Sequence, residues 1–105
     1  MGKSLDDYRL GQVVISKRGK DAGRTYVIVG FLGGNRLALA DAEGYNINRP
    51  KYKNPKHVQP TSLIMVEANV LVEEGKNINR GRLCYFLESA RKYESEQRGR
   101  GANGE

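Results

Sequence analysis

The chain has 105 residues with a net charge of +6, and 38% of them are apolar. That length fits one small domain, and no apolar run approaches the roughly 20 residues of a membrane-spanning helix. A single cysteine, Cys84, excludes an intramolecular disulfide and a cysteine zinc cluster.

The position of the charge says more than its size. Residues 1–66 carry eleven Lys/Arg against five Asp/Glu, whereas residues 67–105 carry seven of each. The whole excess therefore belongs to the first two thirds of the chain. A basic domain of that kind favours a polyanionic partner, nucleic acid before membrane or acidic protein. The first residues, Met1 to Tyr8, contain no apolar signal core, and Asp6 stands where a myristoylation signal needs Ser or Thr. A cytoplasmic protein is the expectation.

Residues 1–10 read as a polar lead-in, with Leu5, Tyr8 and Leu10 available to touch the domain. Gln12–Ser16 and Thr25–Phe31 are β-branched and apolar, which suits strands. The loop between them, Lys17-Arg18-Gly19-Lys20-Asp21-Ala22-Gly23-Arg24, sets four cations against one acid. Its glycines suit positions of positive φ. Gly33-Gly34-Asn35 signals a tight turn, and Arg36–Ala40 forms a third strand in which Leu37 and Leu39 alternate with smaller or polar residues. After a turn at 41–44, Tyr45–Asn48 reads as a short fourth strand.

Arg49 to Pro60 holds all three prolines, which argues against a regular central strand along its length. It also holds Arg49, Lys51, Lys53 and Lys56 with no acid, interleaved with Tyr52 and His57. Thr61–Val66 resumes an apolar strand. Short strands at this spacing predict a mainly β fold, a small antiparallel barrel or sandwich spanning 11–66.

Past Val66, Val70-Leu71-Val72 reads as a short strand or a helix stopped at Gly75. Asn79 is a candidate N-cap for a helix over about 80–97, where Leu83, Phe86, Leu87, Ala90 and Tyr93 share one apolar face. The other face is laced with ion pairs, such as Glu88 with Arg91 and Lys92. This helix is expected to pack on the barrel or on a partner. Residues 98–105 have no apolar anchor and are expected to be a disordered tail.

A catalytic search comes back empty. His57 is the only histidine, Cys84 is expected to be a buried inert thiol, and the adjacent pairs Asp6-Asp7 and Glu73-Glu74 point apart rather than converge. The glycine-bearing pieces lack the lysine and Ser/Thr of a phosphate-cradling P-loop. No catalytic residue, metal or cofactor is expected. The binding search is more productive. Lys17, Arg18, Lys20 and Arg24 flank Gly19 and Gly23, so backbone N–H groups and cations can approach phosphate together. Arg49, Lys51, Lys53, Lys56 and His57 form a second basic segment, with Tyr45 and Tyr52 available to stack on unpaired bases.

These pieces carry a resemblance. Gly11-Gln12-Val13-Val14, Gly19-Lys20-Asp21-Ala22-Gly23-Arg24, Val27-Ile28-Val29 and Asn35-Arg36-Leu37-Ala38-Leu39 resemble a KOW motif, found in ribosomal proteins and in bacterial antitermination and elongation factors. Within that superfamily the chain most resembles large-subunit ribosomal protein fourteen of archaea and eukaryotes, and the short bacterial KOW proteins outside the universal ribosomal set. The similarity runs through Asn35-Arg36, the 49–57 segment and Thr61–Ile64, about half the chain. It implies an SH3-like five-stranded barrel with RNA contacts from the Gly19–Arg24 loop; the amphipathic helix follows it at the C-terminal side, and Arg36 is a further candidate RNA contact. The ribosomal relatives continue into a strongly basic helical extension, whereas residues 67–105 here are net neutral. A stand-alone or ribosome-associated RNA binder is therefore expected, its partner structured or ribosomal RNA. The alternative is a protein-interaction module that docks ribosomal or transcription proteins through its barrel and helix.

Overall fold

A computed structural model describes the backbone of residues 5–103 and the side chains of residues 5–97. Five antiparallel strands form one sheet: β1 (Gln12–Ser16), β2 (Thr25–Leu32), β3 (Arg36–Ala40), β4 (Lys51–Lys53) and β5 (Val58–Ile64). Two helices follow, α1 (Glu67–Glu74) and α2 (Arg80–Asn103). The strand order is β4-β3-β2-β1-β5, so β4 and β5 are the edges, and no ladder joins them among the described residues. A 3-10 turn over Pro55–His57 carries the chain from one edge to the other.

The register sorts the apolar residues into two cores. Val13 pairs with Val27 and Val27 with Ala40, whereas Val14 pairs with Tyr26 and Ile28 with Leu39. Side chains alternate across a strand, so each set falls on its own face of the sheet. Val13, Val27, Val29, Ala38 and Ala40 pack under the helices against Met65, Ala68, Ile78, Leu83, Leu87 and Ala90. Val14, Tyr26, Ile28, Leu37 and Leu39 pack on the other side with Val58 and Tyr8. A bulge between Ile28 and Gly30 shifts the β2–β3 register, so that Val29 and Gly30 both fall on the helix-covered face. The lead-in is thus structural: Tyr8 is buried and its hydroxyl donates to the Pro55 carbonyl at 2.8 Å.

The fourth strand lies further along than expected, at Lys51–Lys53 rather than Tyr45–Asn48. Asp41 explains the shift. Its Oδ1 accepts the N–H groups of Glu43, Gly44 and Tyr45 at 2.9–3.0 Å, which curls the backbone where a strand was expected. Asn46 and Arg49 then close a tight turn by exchanging backbone hydrogen bonds of 3.1 Å. The chain straightens only at Lys51, and Pro55 ends β4. In β5, Pro60 pairs with Val14 at the edge of the sheet, where a missing N–H is tolerated. That strand begins at Val58, before the expected Thr61, and Met65 and Val66 already turn into α1.

The 67–76 segment resolves to the helical reading. Gly75 adopts φ +68° and its N–H and that of Lys76 return to the Val72 and Leu71 carbonyls, a left-handed C-cap. Asn79 caps α2, its Oδ1 accepting the Arg82 N–H at 3.0 Å. On α2, Leu83, Leu87 and Ala90 are buried and Phe86 half-buried, while Tyr93 reaches past the sheet and is 43% exposed. Cys84 lies at the margin of that stripe, half-buried rather than buried, with Sγ 3.8 Å from Glu88 Oε2. The helical backbone continues beyond the expected end at 97 through Asn103, since glycine weakens a helix without stopping it. Residues 104 and 105 of the expected tail lie outside the described residues. Among the described residues no helix is long and apolar enough to cross a membrane.

Candidate nucleic-acid interface

The β1–β2 loop is folded by its own backbone before any side chain is considered. Gly23 N–H donates to the Ser16 carbonyl at 2.8 Å, and Ser16 N–H to that of Arg24 at 2.9 Å. Two overlapping turns fill the interior, Ala22 N–H to Gly19 and Arg24 N–H to Asp21. Gly19 and Gly23 sit at φ +91° and +94°, a region open to glycine and costly for residues with a Cβ. The result is a compact knuckle with Lys17, Arg18, Lys20 and Arg24 all exposed on its outside.

Asp21, the lone acid, points inward. Its carboxylate accepts from the Tyr26 hydroxyl at 2.6 Å, from Ser16 Oγ at 2.9 Å and from Lys53 Nζ at 3.1 Å. Burial alone would raise its pKa, but the three donors and the Lys53 charge outweigh it and hold the carboxyl at about 2. Tyr26 moves the other way, raised by its burial and then by the Asp21 carboxylate that its hydroxyl serves. Lys53 Nζ also donates to the Arg18 carbonyl at 3.2 Å. One side chain from β4 therefore pins the knuckle from below at two points. Lys53 is only 12% exposed, so its charge is used within the protein.

A second junction joins the two basic segments directly. Lys17 N–H donates to the His57 carbonyl at 2.8 Å. His57 is held below its ordinary pKa, first by desolvation and then by the charges of Arg18, Lys56, Lys53 and Lys17. Those four cations come from two segments more than thirty residues apart in sequence, yet they act on the same imidazole. A shallow depression of about 360 Å³ lies beside them, lined by Gly19, Lys20, Asp21, Arg24, Lys51 and Lys53. Lys51 Nζ stands 5.2 Å above the Tyr45 ring, a cation–π contact that engages both residues. Arg24 Nη1 meets Glu43 Oε1 at 2.9 Å on the surface, which among the described residues is the one acid paired with the knuckle's outer cations.

The remaining expected residues fall elsewhere. Ala38 pairs with Tyr52, and Leu37 and Leu39 with Lys53 and Lys51. Tyr52 therefore stands on the face opposite to Lys51 and Lys53, 45% exposed. Arg36, paired with Leu32, shares the Tyr52 face. Arg49 belongs to the turn that Asn46 and Asn48 tie to the α1–α2 linker, through Asn46 Nδ2 to the Ile78 carbonyl and Asn48 N–H to Asn77 Oδ1. The structure thus gathers Lys17, Arg18, Gly19, Lys20, Gly23, Arg24, Lys51, Lys53, Lys56 and His57, and sets Arg36, Tyr52 and Arg49 apart. Sequence reasoning missed Asp21, Ser16 and Tyr26 as the residues that shape the loop. The only signal was the acid itself, alone among cations.

The arrangement presents exposed cationic side chains to solvent, which suits anion binding through many weak contacts. Among the described residues no three His, Cys, Asp or Glu side chains are placed to hold a metal ion. No family model matches the chain, and no curated protein matches it.

Proposed function

We propose that this chain is an RNA-binding protein of the translation machinery, contacting structured or ribosomal RNA through the knuckle and the Lys56–His57 turn. The observation that carries the reading is the convergence of two separate basic segments at the Lys17–His57 and Lys53–Asp21 contacts. A scattered surface charge needs no such joint. The resemblance to KOW proteins supports RNA over other polyanions, and its glycine loop is the loop that is pinned here. The same resemblance makes the sheet an SH3-like barrel; the strand order β4-β3-β2-β1-β5 and the 3-10 turn between β4 and β5 support that description.

Phosphate contacts supply most of the affinity, because among the described residues Arg24 alone of the outward cations has an acidic partner. The alternative, a docking module for ribosomal or transcription proteins, has less to rest on. The apolar face of α2 that would carry it is already occupied by the sheet. Replacing Lys17, Arg18, Lys20 and Arg24 together by Ala tests the reading. RNA affinity is expected to fall, with the salt dependence reduced by about 2.8 on a single strand or about 3.6 on a duplex in log K per log salt. The fold should persist, since none of the four side chains is buried. Unchanged affinity removes the knuckle from the account.

A further inference from the structure

The basic depression does not end at the knuckle. Arg24, which forms one wall of it, also forms a wall of a second depression of about 310 Å³ between the 41–45 loop and α2. Arg91, on the far side of that second depression, also lines a third of about 700 Å³ along α2, with Lys92 and Tyr85. Three depressions thus share walls in series, Arg24 joining the first two and Arg91 with Glu88 joining the second to the third.

The fold fixes this alignment. Leu83, Leu87 and Ala90 anchor α2 on the sheet, which leaves Arg91 and Lys92 exposed beside the anchored stripe. Arg80, in the first turn of α2, donates from Nε to the Ala42 carbonyl at 2.7 Å and from Nη2 to the Glu43 carbonyl at 3.4 Å. That clamp ties the loop bearing Glu43, and through Glu43 the Arg24 side chain, to the helix. Tyr85 is 77% exposed although it is a large aromatic on a helix with an apolar face available.

We propose that a single-stranded stretch of the RNA inferred above to bind at the knuckle continues across Arg24 onto α2, where Arg91 and Lys92 take phosphates and Tyr85 stacks an unpaired base. This extends the proposed site and rests on the RNA reading. The lining fits a single strand better than a duplex. The two α2-side depressions carry Asp41, Glu43, Glu88 and Glu96 as well as cations. Those carboxylates repel a rigid double row of phosphates, but they accept hydrogen bonds from the amino groups of splayed bases. An aromatic beside alternating cations is the usual means of holding such bases. The net neutrality of residues 67–105 hides the track, because its cations and acids occupy the same stripe.

The test uses the full chain and fluorescently labelled single-stranded RNA of about 4 and about 12 nucleotides, lengths within the range of known single-strand sites. The Arg91→Ala/Lys92→Ala variant should bind the short RNA as the wild type does. On the long RNA its affinity should be about 25-fold lower at 0.1 M salt, with a salt slope smaller by about 1.4, from two lost phosphate contacts. Tyr85→Ala should lower long-RNA affinity about 5-fold or more with the slope unchanged. A double variant that binds the long RNA like the wild type overturns the inference while leaving the knuckle reading intact. A variant equally weakened on both lengths also overturns it, because the effect is then not confined to the helix end. If the wild type binds neither length, this extension fails, whereas the RNA reading fails only if the wild type also leaves a structured RNA unbound.

Discussion

Asp21→Asn is the most informative single change, because it removes a charge from the pin while keeping its shape. In the folded protein the carboxyl sits at about 2, against an ordinary value of 3.8. A drop of that size corresponds to about 2.4 kcal/mol of preference for the ionised form in the fold. The Lys53–Asp21 pair is largely but not fully buried, and residual solvent screening brings the net contribution to about 1–1.5 kcal/mol. The sign follows from the direction of the shift. A carboxyl whose folded pKa is depressed contributes its full stability above the unfolded value of 3.8, and that stability is lost as pH falls towards 2. Urea unfolding of wild type and variant across pH 2–7 reads this directly. The variant should be less stable by about 1–1.5 kcal/mol at pH 7, and the difference should shrink from pH 4 downward and close near pH 2. A difference that stays constant over the whole range would refute the charge-based account and assign the loss to packing alone. No difference at pH 7 would mean that Lys53 and Tyr26 do not depend on the Asp21 carboxylate.

Two further changes test the frame that holds the site. Gly11→Ala should destabilise by about 2–4 kcal/mol in the same assay, since φ is +86° and a Cβ would meet the Met65 carbonyl oxygen at 2.6 Å. Recovery of wild-type stability there would show that the β1 entry and the β5–α1 junction can separate freely. Leu83→Ala should cost about 2–5 kcal/mol, because the side chain is fully buried between α2 and the sheet. A loss below about 1 kcal/mol would mean that α2 is not anchored there.

Much of the sheet is legible in the residues. The β-branched runs at Gln12–Ser16 and Thr25–Phe31 and the alternation of Leu37 and Leu39 define three strands, because local pattern and burial agree there. The fourth strand is not legible, since its position depends on where Asp41 and Asn46 hydrogen-bond, and Asn46 bonds to Ile78, more than thirty residues away. Val70-Leu71-Val72 is equally ambiguous in isolation; only the Gly75 cap and the burial of Ala68 decide for a helix. For the site, the two basic segments are visible as composition, but their junction is not. Lys17 meets His57 through a backbone hydrogen bond that any residue could make. The inward turn of Lys53 and the outward turn of Tyr52 follow from a strand register that a three-residue edge strand does not announce. The acid in the loop looks like diluted charge in the sequence and is its organising contact in the fold.

In the proposed function the knuckle and the Lys56–His57 turn form one RNA surface. The most direct measurement is the salt dependence of wild-type binding to a structured RNA, followed by anisotropy from low to moderate salt. Five outward cations, Lys17, Arg18, Lys20, Arg24 and Lys56, predict a slope of about −3.5 on single strands to about −4.5 on duplex in log K against log salt. Removing Lys56 should take about 0.7–0.9 from that slope, as removing any one knuckle cation should. A slope near zero, or a slope that Lys56 does not share with the knuckle, would contradict the claim.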